Sequence, residues 1–447
     1  MMKKLFAIVF VAVIGCGSIV WGQADSAARP FKAGVNLGTD VLATGPGGTS
    51  ESWTQIGFQP DVAFGKFGVG LNLTLHFQIY PVNQPDQAVA IYPGDWVPNY
   101  QSNGQNIVDL YLPKILYVRY GLKGVDPLFV KVGSIPELTL GNGFIMGNYT
   151  NMSYFPDKRI TGLDFGLDGS MFEFPYVGIE FITGNLARFD VIGTHVLGRP
   201  LIWSDIPIVK NLQIGLTFVT DTAPGLYSSA SLSGVSVYGF DALVPLISNP
   251  MVSMAAFTET AFEPNSSAGF MLGLGGRLVG IITYGAQVRL LGAGFIPNYF
   301  DANYDLFRAD KATYMATKAT GNGFMGWFAS LGTVLLNDML YATASLDGPV
   351  KAIDKTSSNK ADFPHARAIA HLGEGLLPGI YADATYEKYS LGKLKGFFED
   401  LVDPTDAIVG LAINYKTGSS VLTLLYNAKW LEGTWKVSSS LQASVKF

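Results

Sequence analysis

The sequence predicts an all-β fold: a single-domain, transmembrane, up-and-down antiparallel β-barrel of about 18–20 strands, with roughly 14–20 as the outer range. Three observations carry this. Apolar and polar residues alternate with a period of two along most of the chain, the period of a strand with one apolar and one wet face. Apolar residues make up 48% of the chain and charged residues only 15%. Yet no stretch after residue 24 approaches the ~20 consecutive apolar residues of a membrane-spanning helix. Finally, the connections are long and short by turns, as a meander through a membrane requires. A soluble sandwich or propeller shares the alternation but has no reason to sort its loops by parity.

The amino-terminal residues read as an export signal. Lys3 and Lys4 precede an apolar run beginning at Leu5, and Gly22-Gln23-Ala24 offers small residues for a signal peptidase. Residues 1–24 are therefore expected to be removed, leaving 25–447 as the barrel. Val13-Ile14-Gly15-Cys16 supports a second reading, a relaxed lipoprotein signal acylated at Cys16. Cys16 is the one cysteine, so cleavage after Ala24 leaves no disulfide and no thiolate metal site. It also leaves 28 basic against 35 acidic residues, a net charge of −7 that argues against nucleic acid as a partner.

The strands follow in order. Phe31, Ala33, Val35 and Leu37 form the first apolar face, and Ile56, Phe58, Val62 and Phe64 the next. After a tight turn at Gly65-Lys66, the residues from Val69 through Leu73 and Leu75 to Ile79 alternate with Asn72, Thr74, His76 and Gln78. A second hairpin sets Phe270, Leu272 and Leu274 before a turn and Tyr284, Val288 and Leu290 after it. A third runs from Ala407 to Tyr415 and, past Thr417-Gly418, from Leu422 to Trp430. Glycine-rich turns between such runs are hairpin signals. The pattern is weakest over 184–211.

Short turns fall near 65–68, 122–126, 169–174, 279–280, 337–338 and 417–419. Long connections fall at 80–106, 135–158, 293–322, 348–364 and 389–405. If the first strand starts at the periplasm, all the short turns lie on that side. Residues 80–106, with Pro81, Pro85, Pro93, Pro98 and Trp96, read either as a constriction loop folded into the lumen or as a surface cap. Leu394, Phe397, Phe398 and Leu401 have helical spacing, which fits a short plugging or capping helix or a packed loop. Gly-Asn-Gly-Phe occurs at 141–144 and 321–324 in unlike surroundings, so it reads as coincidence.

In the last strand Trp435, Val437, Leu441, Ala443, Val445 and Phe447 share one face, and Lys436, Ser438, Ser440, Gln442, Ser444 and Lys446 the other. An aromatic carboxy-terminus on an amphipathic final strand resembles the outer-membrane β-barrel proteins, porin-like, of two-membraned bacteria. The resemblance implies a barrel bathed in outer-membrane lipids and inserted by a barrel-assembly machinery that reads Phe447. With an even strand count, the last strand returns to the periplasm and closes against Phe31–Leu37.

The chemistry-bearing residues point to transport rather than catalysis. His365 and His371 share lumen parity with Arg367 but lack a zinc-site spacing. No context matches the Ser/His or Asp/His arrangements of outer-membrane enzymes, and no phosphate-binding or dinucleotide loop is present, so neither enzyme activity nor a cofactor is expected. Parity turns Asn36, Asn72, His76, Arg119, Lys131, Asp164, Glu180, Arg289, Asp383, Glu387, Asn414 and Lys429 inward, a wet wall with both signs of charge. Arg119, Lys131 and Arg289, with Asp383 and Glu387, form the candidate selectivity set. The expectation is passive diffusion of small solutes through a porin-like channel. The alternatives are a fatty-acid-type transporter of hydrophobic substrates and a surface adhesin or structural barrel.

Overall fold

The computed structural model describes residues 31–43, 50–79, 88–98, 107–155, 158–226, 228, 231–263, 267–318, 323–336, 339–350, 355–357 and 360–446. The export signal with Cys16, and the terminal Phe447, lie outside them. Among the described residues, 20 strands form one closed antiparallel barrel. They begin with β1 (Phe31–Ala43), β2 (Ser50–Phe64), β3 in two pieces (Phe67–Leu71 and Leu73–Ile79), β4 (Ile115–Tyr120), β5 (Leu128–Gly133), β6 (Gly162–Asp168) and β7 (Val177–Thr183). Next come β8 (Val191–Gly198), β9 (Gln213–Asp221), β10 (Val235–Ser248), β11 (Val252–Phe262), β12 (Ala268–Leu278) and β13 (Ile282–Leu291). The chain finishes with β14 (Phe324–Leu335), β15 (Leu340–Pro349), β16 (His365–Leu377), β17 (Ile380–Lys388), β18 (Ala407–Thr417), β19 (Ser420–Leu431) and β20 (Thr434–Lys446). β1 closes the ring on β20, with Val35 opposite Val445 and Leu37 opposite Ala443.

The wall is inside-out relative to a water-soluble protein. Leu37, Leu272, Leu331 and Leu441 are exposed on the outer face, while Asn36, Gln55, Glu259 and Ser440 are buried on the inner one. A lipid solvent outside and a polar lumen inside dictate this reversal, and a period-two sequence delivers it on every strand. Turns at one end are tight: Gly65-Lys66 has its glycine at φ +56° with open space around it. The long connections gather at the other end. One departure is 199–212, between β8 and β9 at the tight-turn end, which carries the short helix Pro207–Lys210. Pro200 and Pro207 remove backbone donors there, and this is the stretch where the alternation is weakest.

Of residues 80–106 the structure describes 88–98, and these patch the wall. β4 pairs with the first piece of β3, not the second, and with β5 on its other side. Beside the second piece lies Val89–Ile91, with Ile91 opposite Phe77 and Val89 opposite Ile79. Tyr92 packs on Trp53 at 5.1 Å between ring centroids. Behind them Asp95 and Asp40 hold the two ring nitrogens of His76, each at 2.9 Å.

Among the described residues the lumen is entered instead by 134–155 and 292–318. The first carries a small hairpin, Leu138–Leu140 and Met146–Tyr149. Gly141 and Gly143 form its tip with positive φ. A Cβ at Gly141 would sit 3.0 Å from the Thr217 hydroxyl and 3.1 Å from the Asp241 carboxylate, so the tip touches the wall because it lacks one. This is the first Gly-Asn-Gly-Phe. In the second, Gly323 and Phe324 lead into β14, and 321–322 lie outside the described residues. The second inserted segment carries α1 (Tyr304–Lys318). Tyr304, Phe307, Arg308, Ala312 and Met315 are buried on one face, while Asp310, Thr313 and Thr317 point away. The helical spacing near 391–402 becomes the five-residue helix Phe397–Leu401, whose Phe398 is 80% exposed, so it does not plug the barrel.

Candidate selectivity site in the lumen

The two inserted segments pair with each other before they meet the wall. The Phe300 amide donates to Ile145 O at 3.1 Å, and the rings of Phe144 and Phe295 stack at 5.3 Å. Around them Met146, Tyr149, Tyr299 and Tyr304 bury themselves against Ile182, Val219, Val237 and Met271 of the wall. Burial of this much aromatic surface drives the insertion.

Polar pins fix its position on both sides of the lumen. Glu259 on β11 accepts the amides of Asn142 and Phe144 at 3.2 and 3.3 Å. Arg308 on α1 reaches Asp190 at 2.7 Å and grips Asp221 at 2.5 and 3.0 Å, while the Tyr304 hydroxyl donates to Asp221 at 2.6 Å. Across the lumen Asn303 donates to Glu387 at 2.5 Å, Asn427 to Phe155 O at 2.8 Å, and Lys429 to Ser153 O. The inserted segments therefore bridge β8–β11 to β17–β19. Sequence parity does not reveal Arg308, Asp190 or Asp221, because none lies in an alternating run except at its edge. The signal that finds Arg308 is its i,i+4 spacing from Tyr304.

The candidate residues fall into two sectors. Arg119 on β4 and Lys131 on β5 are directly opposite in register. Neither has a carboxylate within ion-pair distance among the described residues, and the Arg119 Nε is buried without a hydrogen-bond partner. The nearby acids are engaged elsewhere: Asp164 holds Lys123 at 3.1 Å, and Asp61 accepts the Tyr117 hydroxyl at 2.9 Å. Two further cations face aromatic rings: Lys114 lies 4.5 Å from the Trp96 centroid and Arg159 lies 5.2 Å from that of Phe155. Burial, with Arg159 nearby, lowers the Lys114 ammonium from its ordinary range.

The other three candidates sit in closed pairs. Arg289 on β13 bonds Asp347 at 3.4 Å, and Asp347 also holds His365 at 3.1 Å. His365 reaches Glu387 at 3.3 Å, and Glu387 holds Arg367 at 2.8 Å. The chain Arg289–Asp347–His365–Glu387–Arg367 thus draws on β13, β15, β16 and β17, with charges alternating in sign. Asp383 pairs with His371 at 2.6 Å. These residues line the lumen as parity places them, and each lies within ion-pair distance of a neighbour. Between α1 and this wall lies a cavity of about 680 Å³.

No known family profile matches the chain, and no curated protein matches it in sequence. Among solved structures it is similar to OccAB4 of Acinetobacter baumannii, at 9% identity over 93% of this chain and 97% of that one, with a TM-score of 0.32. It is also similar to OccK5 (OpdH) of Pseudomonas aeruginosa, at 8% identity over 93% and 98%, with a TM-score of 0.35. A third similar structure is Wzi of Escherichia coli, a carbohydrate-binding barrel involved in group 1 capsule assembly, at 11% identity over 98% and 86%, with a TM-score of 0.36. At such low identity and TM-score these likenesses carry no functional conclusion.

Proposed function

We propose that this chain is an outer-membrane channel for passive diffusion of small hydrophilic solutes, with Arg119 and Lys131 as its charge-selective station. A 20-strand ring is wider than the ~16–18 strands that already leave an aqueous channel. The inserted segments narrow that lumen but leave open the cavity of about 680 Å³ beside α1. The carrying observation is the Arg119–Lys131 pair. Like charges directly opposite on a sheet destabilise it, and each of the other candidate charges lies within ion-pair distance of a neighbour of the other kind. Asp164, opposite Lys131 on β6, is already paired with Lys123, so Arg119 and Lys131 keep an excess of positive charge that favours anions over cations.

The export signal at 1–24 and the insertion signal at Phe447 support delivery to the outer membrane by the barrel-assembly machinery, among outer-membrane lipids. Deleting Phe447 is expected to lower the assembled, heat-modifiable yield far more than it alters the pore. The direct test is conductance in planar bilayers. Stepwise current with anion preference is the expected result, and a folded, heat-modifiable preparation that carries no current overturns the channel reading.

A further inference from the structure

We infer that the cavity behind α1 is a binding site for neutral, hydroxylated ring compounds of mono- or disaccharide size. It holds about 680 Å³, within the ~300–1,000 Å³ of small-molecule sites. Its walls are α1, β13 to β16 and the segment Lys360–Asp362 with the residues that follow it. It is separate from the Arg119–Lys131 station, and its ligand preference does not depend on conduction.

Charge sets the first requirement. Three cations and a histidine line the cavity, and all are already paired. Arg289 holds Asp347 at 3.4 Å, Lys311 holds Asp301 at 2.7 Å, Lys360 holds Asp406 at 2.6 Å, and His365 takes the other oxygen of Asp347 at 3.1 Å. An ionic ligand has to break one of these pairs or leave its own charge uncompensated in a partly buried place, which is costly. A neutral ligand uses the remaining lone pairs and N–H groups of the same ions, in charge-assisted hydrogen bonds, without changing the net charge. Asp310 adds an exposed carboxylate at the mouth with no ion-pair partner among the described residues, an acceptor for hydroxyls.

Shape and polarity set the second. The rings of Phe307, Tyr314, Phe363 and Tyr389 line the cavity, and each is buried. Tyr389 is held flat against His365 at 4.5 Å and edge-on to Phe307 at 5.2 Å. Half-buried Pro297, Phe324 and Ala361 give the cavity apolar surface for the C–H side of a sugar ring, the buried aromatic rings behind hold that surface rigid, and the ion pairs address the hydroxyl rim. A linear hydrocarbon meets too many charges here, and a free ion too many rings.

The test is titration calorimetry of the folded, detergent-solubilised chain with glucose, maltose and sucrose, and with glucuronate and glucosamine as charged counterparts. Saturable binding of at least one neutral sugar is expected. Phe307→Leu should weaken it about tenfold and the surface change Asp310→Asn roughly threefold. The charged compounds should bind far more weakly. No saturation by any of the three neutral sugars overturns the inference, as does equal binding of glucuronate or glucosamine, or unchanged affinity in a folded Asp310→Asn variant. Binding without current upholds this site while contradicting the channel reading.

Discussion

Arg119 and Arg289 obey the same sequence rule and end in opposite circumstances. Both point inward from a strand. Arg119 faces Lys131 across a hairpin and finds no acid, whereas Arg289 enters a chain of alternating charges that runs to Arg367. An inward charge is therefore not in itself a selectivity element. A cation whose field is cancelled within 3.4 Å acts as a structural tie, and one without a partner acts on whatever passes.

The comparison breaks most forcefully at the inserted helix, the extreme of the paired class. Arg308→Ala leaves Asp190 and Asp221 buried without a countercharge, and losing one member of such a buried set costs ~3–5 kcal/mol. α1 is then expected to leave the lumen. Conductance should rise and added protease should cleave within 292–323, while the barrel stays heat-modifiable. Unchanged conductance and protease resistance contradict the role of Arg308 as a pin.

Charge reversal in the unpaired class comes next. Arg119→Glu combined with Lys131→Glu should change the sign of ion selectivity, read from the reversal potential in a salt gradient. Asp383→Asn should leave that sign alone, because Asp383 lies on β17, away from the Arg119–Lys131 pair.

Acidity offers a smaller effect. Burial raises the carboxyls of Glu137 and Asp305 to about 7 and that of Glu263 to about 8. Each is protonated more readily when the inserted segments are docked than when they are released. Docking is therefore favoured fully below the ordinary carboxylate range, and this advantage is lost as pH rises through 7 and 8. Amide exchange in 134–155 and 292–318 should be slower at about pH 5 than at about pH 8.5 after correction for intrinsic rates. Protection that grows with pH contradicts this sign. The least effect is expected from Arg289→Gln, since Asp347 keeps His365.

The wall was legible because lipid and water impose a period of two on each strand. Closure of Val35 on Val445 follows from an even count, and the tight turns mark one end. The inserted core was not legible, because Phe144, Tyr299 and Phe300 bury themselves from loops with no repeating period. α1 does carry its face at Tyr304, Phe307, Arg308, Ala312 and Met315, but it sits within a connection that reads as loop between two strands. The candidate site was half legible. The turn at 121–127 makes Arg119 and Lys131 neighbours, so local sequence contains that pair. The partner of Arg289 comes from β15, and its cancellation depends on a register and a side-chain reach that parity does not specify.

The most direct test of the central claim is the reversal potential across planar bilayers of three proteins: the unaltered chain, the pair Arg119→Gln with Lys131→Gln, and Arg289→Gln. The account predicts anion preference in the first, its loss in the second and its retention in the third. Anion preference that survives in the second, or disappears in the third alone, contradicts it.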